Sequence, residues 1–213
     1  MGGAIPKQFH SLLGQPLLVH TLLPFESVQE IDEIIVLLPV GWKEHCQHEI
    51  VEKYGFKKVS KLVTGGKERQ DSVYRGLKEA STKSELIVIH DGVRPLVTRA
   101  MIEACLDAAS IHGAAVVAVP LADTLKKVVS GHLIKETLKR EGLWLAQTPQ
   151  TFRRELLLQA FETALNDGFY GTDDAALVER AGFEVRVVPG AVTNLKVTTP
   201  EDLKVAELLL RAR

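Results

Sequence analysis

The residues best suited to chemistry are grouped in His90-Asp91-Gly92-Val93-Arg94-Pro95, at the end of the most apolar run of the chain. A carboxylate in that place can bind Mg2+ with bridging phosphates, and an arginine three positions on can fork onto a phosphate. A structural Asp91–Arg94 pair in a turn is the plainer alternative. Thr64-Gly65-Gly66-Lys67-Glu68-Arg69-Gln70-Asp71-Ser72 joins a strand-like run to a helical one. Its two glycines would let a ligand approach the backbone, and the following helix start favours anions. It lacks the Walker spacing, and an ordinary strand-to-helix turn explains it about as well. Asn194-Leu195-Lys196-Val197-Thr198 places a lysine inside a short β-like run, facing either solvent or a site. Pro6-Lys7-Gln8-Phe9 follows two glycines and reads as the exit of a glycine-rich phosphate loop. Gln147-Thr148-Pro149-Gln150 is sufficiently explained as a turn, and Thr172-Asp173-Asp174 as a helix N-cap with an acidic first turn. The histidines show no metal-ligand spacing, and no nucleophile for covalent catalysis stands out.

These clusters need elements to hold them at one edge. Apolar runs at Glu33–Pro39, Lys61–Thr64, Leu86–His90, Ala114–Pro120 and Glu184–Pro189 predict strands. They are continuous instead of alternating, as in a sheet covered on both faces. Helices are predicted near Pro16–Glu26, Lys43–Tyr54, Gln70–Ala80, Thr98–His112, Arg153–Asn166, Asp173–Ala181 and Pro200–Arg211. Leu156, Leu157, Ala160, Phe161 and Ala164 form one apolar helical face, and Thr199-Pro200 with Asp202 makes a capped helix start. The expected fold is α/β: a doubly wound, mostly parallel, Rossmann-like sheet with ligands at the carboxyl ends of its strands. A segment at 121–141 breaks the βα rhythm with two short β-like runs around Ser130-Gly131. It predicts either a β-arm that meets another subunit or a solvated hairpin. Nothing else divides the chain, so 1–213 is expected to be one domain.

Composition narrows the function classes. The 213 residues are 46% hydrophobic and 25% charged, with a formal net charge of −1. That balance gives no footprint for nucleic acid and no polybasic patch for a membrane, so an anionic ligand must be held by a local cluster. Two cysteines, Cys46 and Cys105, are too few for a disulfide framework and predict free thiols in the cytoplasm. No apolar run reaches transmembrane length.

Taken in order, the motifs resemble those of the 2-C-methyl-D-erythritol 4-phosphate cytidylyltransferase family. They are P-K-Q-F at Pro6, G-G-x-x-R-x-x-S from Gly65 to Ser72 and H-D-x-x-R-P at His90. D-T-x-K at Asp123 and R-x-x-L-W-x-x-Q-T-P-Q from Arg140 to Gln150 follow, then T-D-x-A at Thr172 and N-x-K-V-T at Asn194. Each is weak alone, but the ordered set spans essentially the whole chain and is specific. The resemblance implies a nucleotidyltransferase fold and cytidylyl transfer from CTP to methylerythritol phosphate with Mg2+. It assigns Lys7 and Lys196 to the α-phosphate as catalytic residues. Gly65, Gly66, Lys67 and Ser72 go to the cytidine pocket, with Asp91 and Gly92 beside the nucleotide and Asp91 on the metal. Arg94, Thr148, Thr172 and Lys126 would surround the acceptor, while Thr124 and Arg140 would reach into a partner's site across a homodimer built on the arm.

The family pattern opens with an apolar strand and P-A-A-G-x-G-x-R ahead of the M-G that matches Met1-Gly2. The resemblance therefore implies that a central strand and the front of the phosphate loop precede this sequence in a longer natural protein. Rival expectations are a ribitol 5-phosphate cytidylyltransferase, a sugar nucleotidyltransferase, and an inactive nucleotide-binding protein.

Overall fold

The computed structural model describes residues 5–213; Met1–Ala4, on which the front of the phosphate-loop reading falls, lie outside the described residues. Two short strands, β1 (Ser11–Leu12) and β2 (Gln15–Pro16), close an antiparallel turn through Leu13 and Gly14, both at positive φ. Helix α1 (Leu17–Ser27) follows, buries Leu18, Val19 and Leu22, and delivers the chain to strand β3 (Ile34–Leu38). Helix α2 (Lys43–Cys46) continues as a π-helical stretch, Gln47–Glu52, before strand β4 (Val59–Thr64). Strands β3 and β4 pair in parallel, and helix α3 (Arg69–Glu79) returns the chain to strand β5 (Leu86–Ile89). Helix α4 (Arg99–His112) starts where the Thr98 hydroxyl accepts the Met101 amide and stops at Gly113, whose φ of +89° needs a residue without Cβ.

Strand β6 (Ala114–Pro120) is buried almost throughout. The arm then leaves as β7 (Leu125–Val129) and β8 (Leu133–Leu138), an antiparallel hairpin whose residues are all exposed. Strand β9 (Trp144–Arg153), helices α5 (Arg154–Asn166) and α6 (Asp174–Arg180), strand β10 (Arg186–Pro189) and helix α7 (Pro200–Arg211) complete the chain. The α5 face lies as its spacing predicts, with Leu157, Ala160, Phe161 and Ala164 buried and Leu156 packed partly against them. At α7, Thr199 and Asp202 form the expected reciprocal cap, with Pro200 in the first turn.

The architecture is α/β, and its main sheet is mixed. In the order β10-β6-β9-β5, β10 and β6 are parallel, while β9 runs against both β6 and β5. Strand β9 is an element that the sequence pattern concealed, because Pro149 in the middle of the run argues against a central strand. The ladder tolerates it by slipping. Val116 faces Gln150 but Ala118 faces Ala146, so β9 carries extra residues there and bulges around Gln147–Pro149.

Candidate active site

The bulge and three strand-end loops build one site. Asp91, just beyond β5, is 8% exposed at its side chain and is approached by three cations. Lys196 Nζ lies 3.1 Å and Arg94 Nε 3.3 Å from Asp91 Oδ2, while Arg69 Nε lies 3.3 Å from Oδ1. Burial alone would raise the Asp91 carboxyl, but Lys196, Arg69 and Arg94 together outweigh it and hold it below the ordinary carboxylate range. Arg69 is also 2.7 Å from Asp174 Oδ2; that carboxylate is 1% exposed, and burial pushes its pKa up against the pull of Arg69.

Asn194 positions the lysine. Its buried side chain donates to Gln147 Oε1 at 3.1 Å and to the Thr148 carbonyl at 3.0 Å, while its own carbonyl accepts from Arg94 Nη1 at 2.8 Å. The Val197 amide donates to the Val93 carbonyl, so the segment holding Lys196 is tied on both sides to the β9 bulge and the Asp91 turn. Gly190 packs so close that a Cβ there would lie 2.6 Å from Gln147 Oε1 and 2.7 Å from Val117 Cγ1. Gln150 binds Asp173 and the Ala175 amide, which fixes the start of α6 against the same bulge.

A cavity of about 240 Å3 is lined by Arg69, Asp91, Arg94, Thr148, Thr172 and Lys196, with Gln147, Gln150 and Asp173. It lies just under the ~300–1,000 Å3 of ordinary ligand pockets, a size for one small molecule, and its Arg69, Arg94 and Lys196 suit an anionic one. Arg69, Asp91 and Lys196 also border a larger cavity of about 840 Å3, together with Gln8, Ser72 and Gly92.

Not every expected residue gathers here. Lys7 opens a 3-10 turn beside Gln8 and makes no ion pair among the described residues. Gly65, Gly66 and Lys67 line neither cavity. Their turn is closed from within, since the Gly66 amide donates to Ser72 Oγ at 2.9 Å and a Cβ on Gly66 would stand 2.3 Å from Asp71 Cβ. Gly66 is thus required by the turn itself. Lys126, expected beside the acceptor, is instead on the exposed arm, where its ammonium donates to Thr137 Oγ1 at 2.6 Å. Thr124 and Arg140 also stand on the exposed arm segment, with the Arg140 guanidinium donating to the Ala122 carbonyl. Arg94 is more constrained than expected, as it braces Asp91 and Asn194 while lining the small cavity.

Arg69, Asp174, Gln147, Gln150 and Asn194 belong to the same structure without having been singled out. Each lies inside one of the quoted motifs, which is the only signal the sequence offers for them. Asp173 caps α6 through the Ala176 amide, as the N-cap reading expects.

Among the described residues no cluster of three His, Cys, Asp or Glu side chains is placed to hold a metal. Mg2+ commonly takes one or two carboxylates and completes its shell with phosphates and water, so Asp91 fits a magnesium that arrives with a nucleotide. His90 is buried beside this carboxylate. The Gly92 amide donates to its Nδ1 at 3.2 Å, and burial pulls its pKa down to about 3, so the ring stays neutral.

Residues 1–212 match the family model described as IspD: 2-C-methyl-D-erythritol 4-phosphate cytidylyltransferase. A protein of that description from Syntrophus aciditrophicus is 48% identical over 211 residues, 99% of this chain and 90% of the relative. One from Geotalea uraniireducens is 46% identical over 214 residues, 100% of this chain and 91% of the relative. The crystal structure of the Thermus thermophilus enzyme of the same name superposes with a TM-score of 0.83 at 37% identity, covering 97% of this chain and 94% of that one.

Proposed function

Since the chain belongs to the 2-C-methyl-D-erythritol 4-phosphate cytidylyltransferase family, and so transfers a cytidylyl group from CTP to that acceptor in the non-mevalonate route to isoprenoid precursors, we propose that the transfer occurs on the Asp91 cluster. The observation that carries this reading is the convergence of Lys196, Arg69 and Arg94, from three separate segments, on one carboxylate at a strand end. Cations outnumber the carboxylate they surround, so the site suits phosphates more than a neutral ligand.

In the reaction an oxygen of the acceptor phosphate forms a bond to the α-phosphorus of CTP. The bond from that phosphorus to the bridging oxygen breaks, and pyrophosphate leaves with the electron pair. Lys196, with Lys7, stabilises the negative charge on the α-phosphate, and Arg94, Thr148 and Thr172 orient the acceptor. Nothing in this scheme needs a covalent enzyme intermediate; positioning and fixed charge supply the rate. Asp91 would hold Mg2+, which supplies neutralisation of the triphosphate charge. Ser72, which borders the larger cavity, holds the cytidine side, with the Gly65–Lys67 turn fixing the position of its hydroxyl.

The protein works as a homodimer joined through its arm, a reading supported by the exposure of Leu133 and Ile134, at 67% and 55%, on an otherwise unpartnered hairpin. Two free, buried cysteines and the lack of any helix long and apolar enough to cross a membrane among the described residues are in keeping with work in the cytoplasm. The test is pyrophosphate release from CTP in the presence of Mg2+, with methylerythritol phosphate or ribitol 5-phosphate as acceptor. Release with the first, abolished by Asp91→Asn, is expected. Undiminished release by that variant would move the chemistry away from this cluster.

A further inference from the structure

Helices α5 and α6 are joined by residues 167–173, and this loop brings Thr172 to the small cavity. Little in its own backbone holds it there. Among the described residues, the amides of Tyr170, Gly171 and Thr172 donate to no backbone carbonyl. The first turn of α3 holds the loop instead. Gln70 Nε2 donates to the Phe169 carbonyl at 3.0 Å, and Gln70 Oε1 accepts the Gly171 amide at 2.9 Å. Both ends of one side-chain amide are thus engaged by the loop backbone. A carbonyl and an amide two positions apart call for a donor and an acceptor on separate atoms, which glutamine supplies without a charge. Gly171 also lies so close to α6 that a Cβ there would stand 2.8 Å from Leu177 Cδ2.

The neighbouring residue completes the grip. Arg69 lies 2.7 Å from Asp174 Oδ2, so adjacent residues of α3 hold the chain on both sides of Thr172. The Tyr170 hydroxyl reaches Asp71 Oδ1 at 3.3 Å on the exposed side, a long bond in water that adds little. Gln70 itself is 8% exposed and lines neither cavity. It would therefore act on a ligand only by way of the loop. Position 70 is one of the open positions in the G-G-x-x-R-x-x-S motif, so the resemblance gives it no role.

We propose that Gln70 is a positioning residue for the acceptor: by holding the Phe169–Gly171 backbone it keeps Thr172 where the acceptor is bound. The proposal rests on the reading above for the part Thr172 plays. Without Gln70, α6 still starts in place, because Gln150 holds Asp173 and the Ala175 amide. The stretch before it loses its two bonds and spreads over other conformations, so only a fraction of molecules present Thr172 correctly. Apparent affinity for the acceptor falls by that fraction. Each neutral bond of this kind is worth roughly fivefold in population, so losing both weakens acceptor binding by about tenfold to thirtyfold.

The test combines amide exchange with kinetics of Gln70→Met, which keeps the bulk of the side chain and removes both bonds. In the unaltered protein, residue-resolved exchange should find the Gly171 amide slower than those of Tyr170 and Thr172, because it alone of the three has a partner. In Gln70→Met the Gly171 amide should exchange about tenfold faster, while the Ala175 amide is unchanged. Pyrophosphate release with methylerythritol phosphate varied at saturating CTP should show its KM raised by about tenfold or more. The KM for CTP and the kcat should stay within about twofold, as expected when binding common to ground and transition states is lost. Merely structural damage would instead lower kcat and raise both KM values together. An acceptor KM within about fivefold of the parent, a matching rise in the KM for CTP, or a Gly171 amide as fast as its neighbours in the unaltered protein overturns the proposal. No release by the unaltered protein with this acceptor overturns the cytidylyl reading instead, and exchange at Gly171 then decides alone whether Gln70 holds the loop.

Discussion

Replacing Lys196 by alanine separates chemistry from stability in a way the geometry specifies. Lys196 Nζ is 3.1 Å from Asp91 Oδ2, but Arg94 Nε at 3.3 Å shares that oxygen and Arg69 Nε holds the other. Removing the lysine leaves the buried carboxylate compensated by two arginines. The lysine side chain is itself 43% exposed, so its ion pair contributes no more than about 1 kcal/mol to folding. For a chain of this size that is a fall in Tm of about 2–4 °C. The effect on turnover should be larger. Loss of one donor to developing transition-state charge costs about 10²–10³ in rate, or ~2.7–4 kcal/mol of barrier. Pyrophosphate release under saturating CTP and acceptor gives kcat, and thermal unfolding on the same preparation gives Tm. The expected result is a kcat lower by two to three decades, on the order of the donor-loss figure, with Tm nearly unchanged. A kcat within tenfold of the parent would refute the role given to Lys196. A fall in Tm beyond about 8 °C would refute the claim that the two arginines compensate Asp91 without it.

Asp91→Asn should behave in the opposite way and lose both properties. It leaves Arg94 buried without its carboxylate, at a cost of about 3 kcal/mol, the low end for a broken buried pair because Arg69 and Lys196 keep 36% and 43% exposure; denaturant unfolding reads it directly. Gly190→Ala forces a Cβ against Val117 and Gln147, so we expect about 1–3 kcal/mol of destabilisation and, through the Gln147–Asn194 bond, a lower kcat. A crystal structure with Gln147 unmoved would contradict that coupling. Leu133→Lys with Ile134→Lys places charge on the exposed arm and should yield monomers in sedimentation experiments at unchanged Tm. His90 has a folded pKa of about 3, well below its unfolded value, so its contribution to stability is complete above the unfolded pKa and is lost as pH falls through ~6.5 toward 3. The parent should accordingly lose stability faster than His90→Gln between pH 7 and pH 5, a difference that paired denaturant titrations would reveal.

The sequence by itself determined the local elements. Continuous apolar runs become β3, β5 and β6 because a strand buried on both faces has no polar side to display, and Thr98, Thr199 and Asp202 cap helices by bonds spanning three residues or so. The ordered motifs likewise carried the family and pointed to Lys196, Asp91, Arg94, Thr148 and Thr172. Only the tertiary structure decided what those residues touch. Pro149 hid β9, and the bulge that accommodates it turns Gln147 and Thr148 toward Asn194, 47 and 46 residues away along the chain. Arg69 reads as a turn residue until the fold brings Asp91 and the buried Asp174 to either side of it. Hydrophobic period and capping are set within a few residues of chain, whereas ion pairs, bulges and sheet edges depend on which distant segments are packed together.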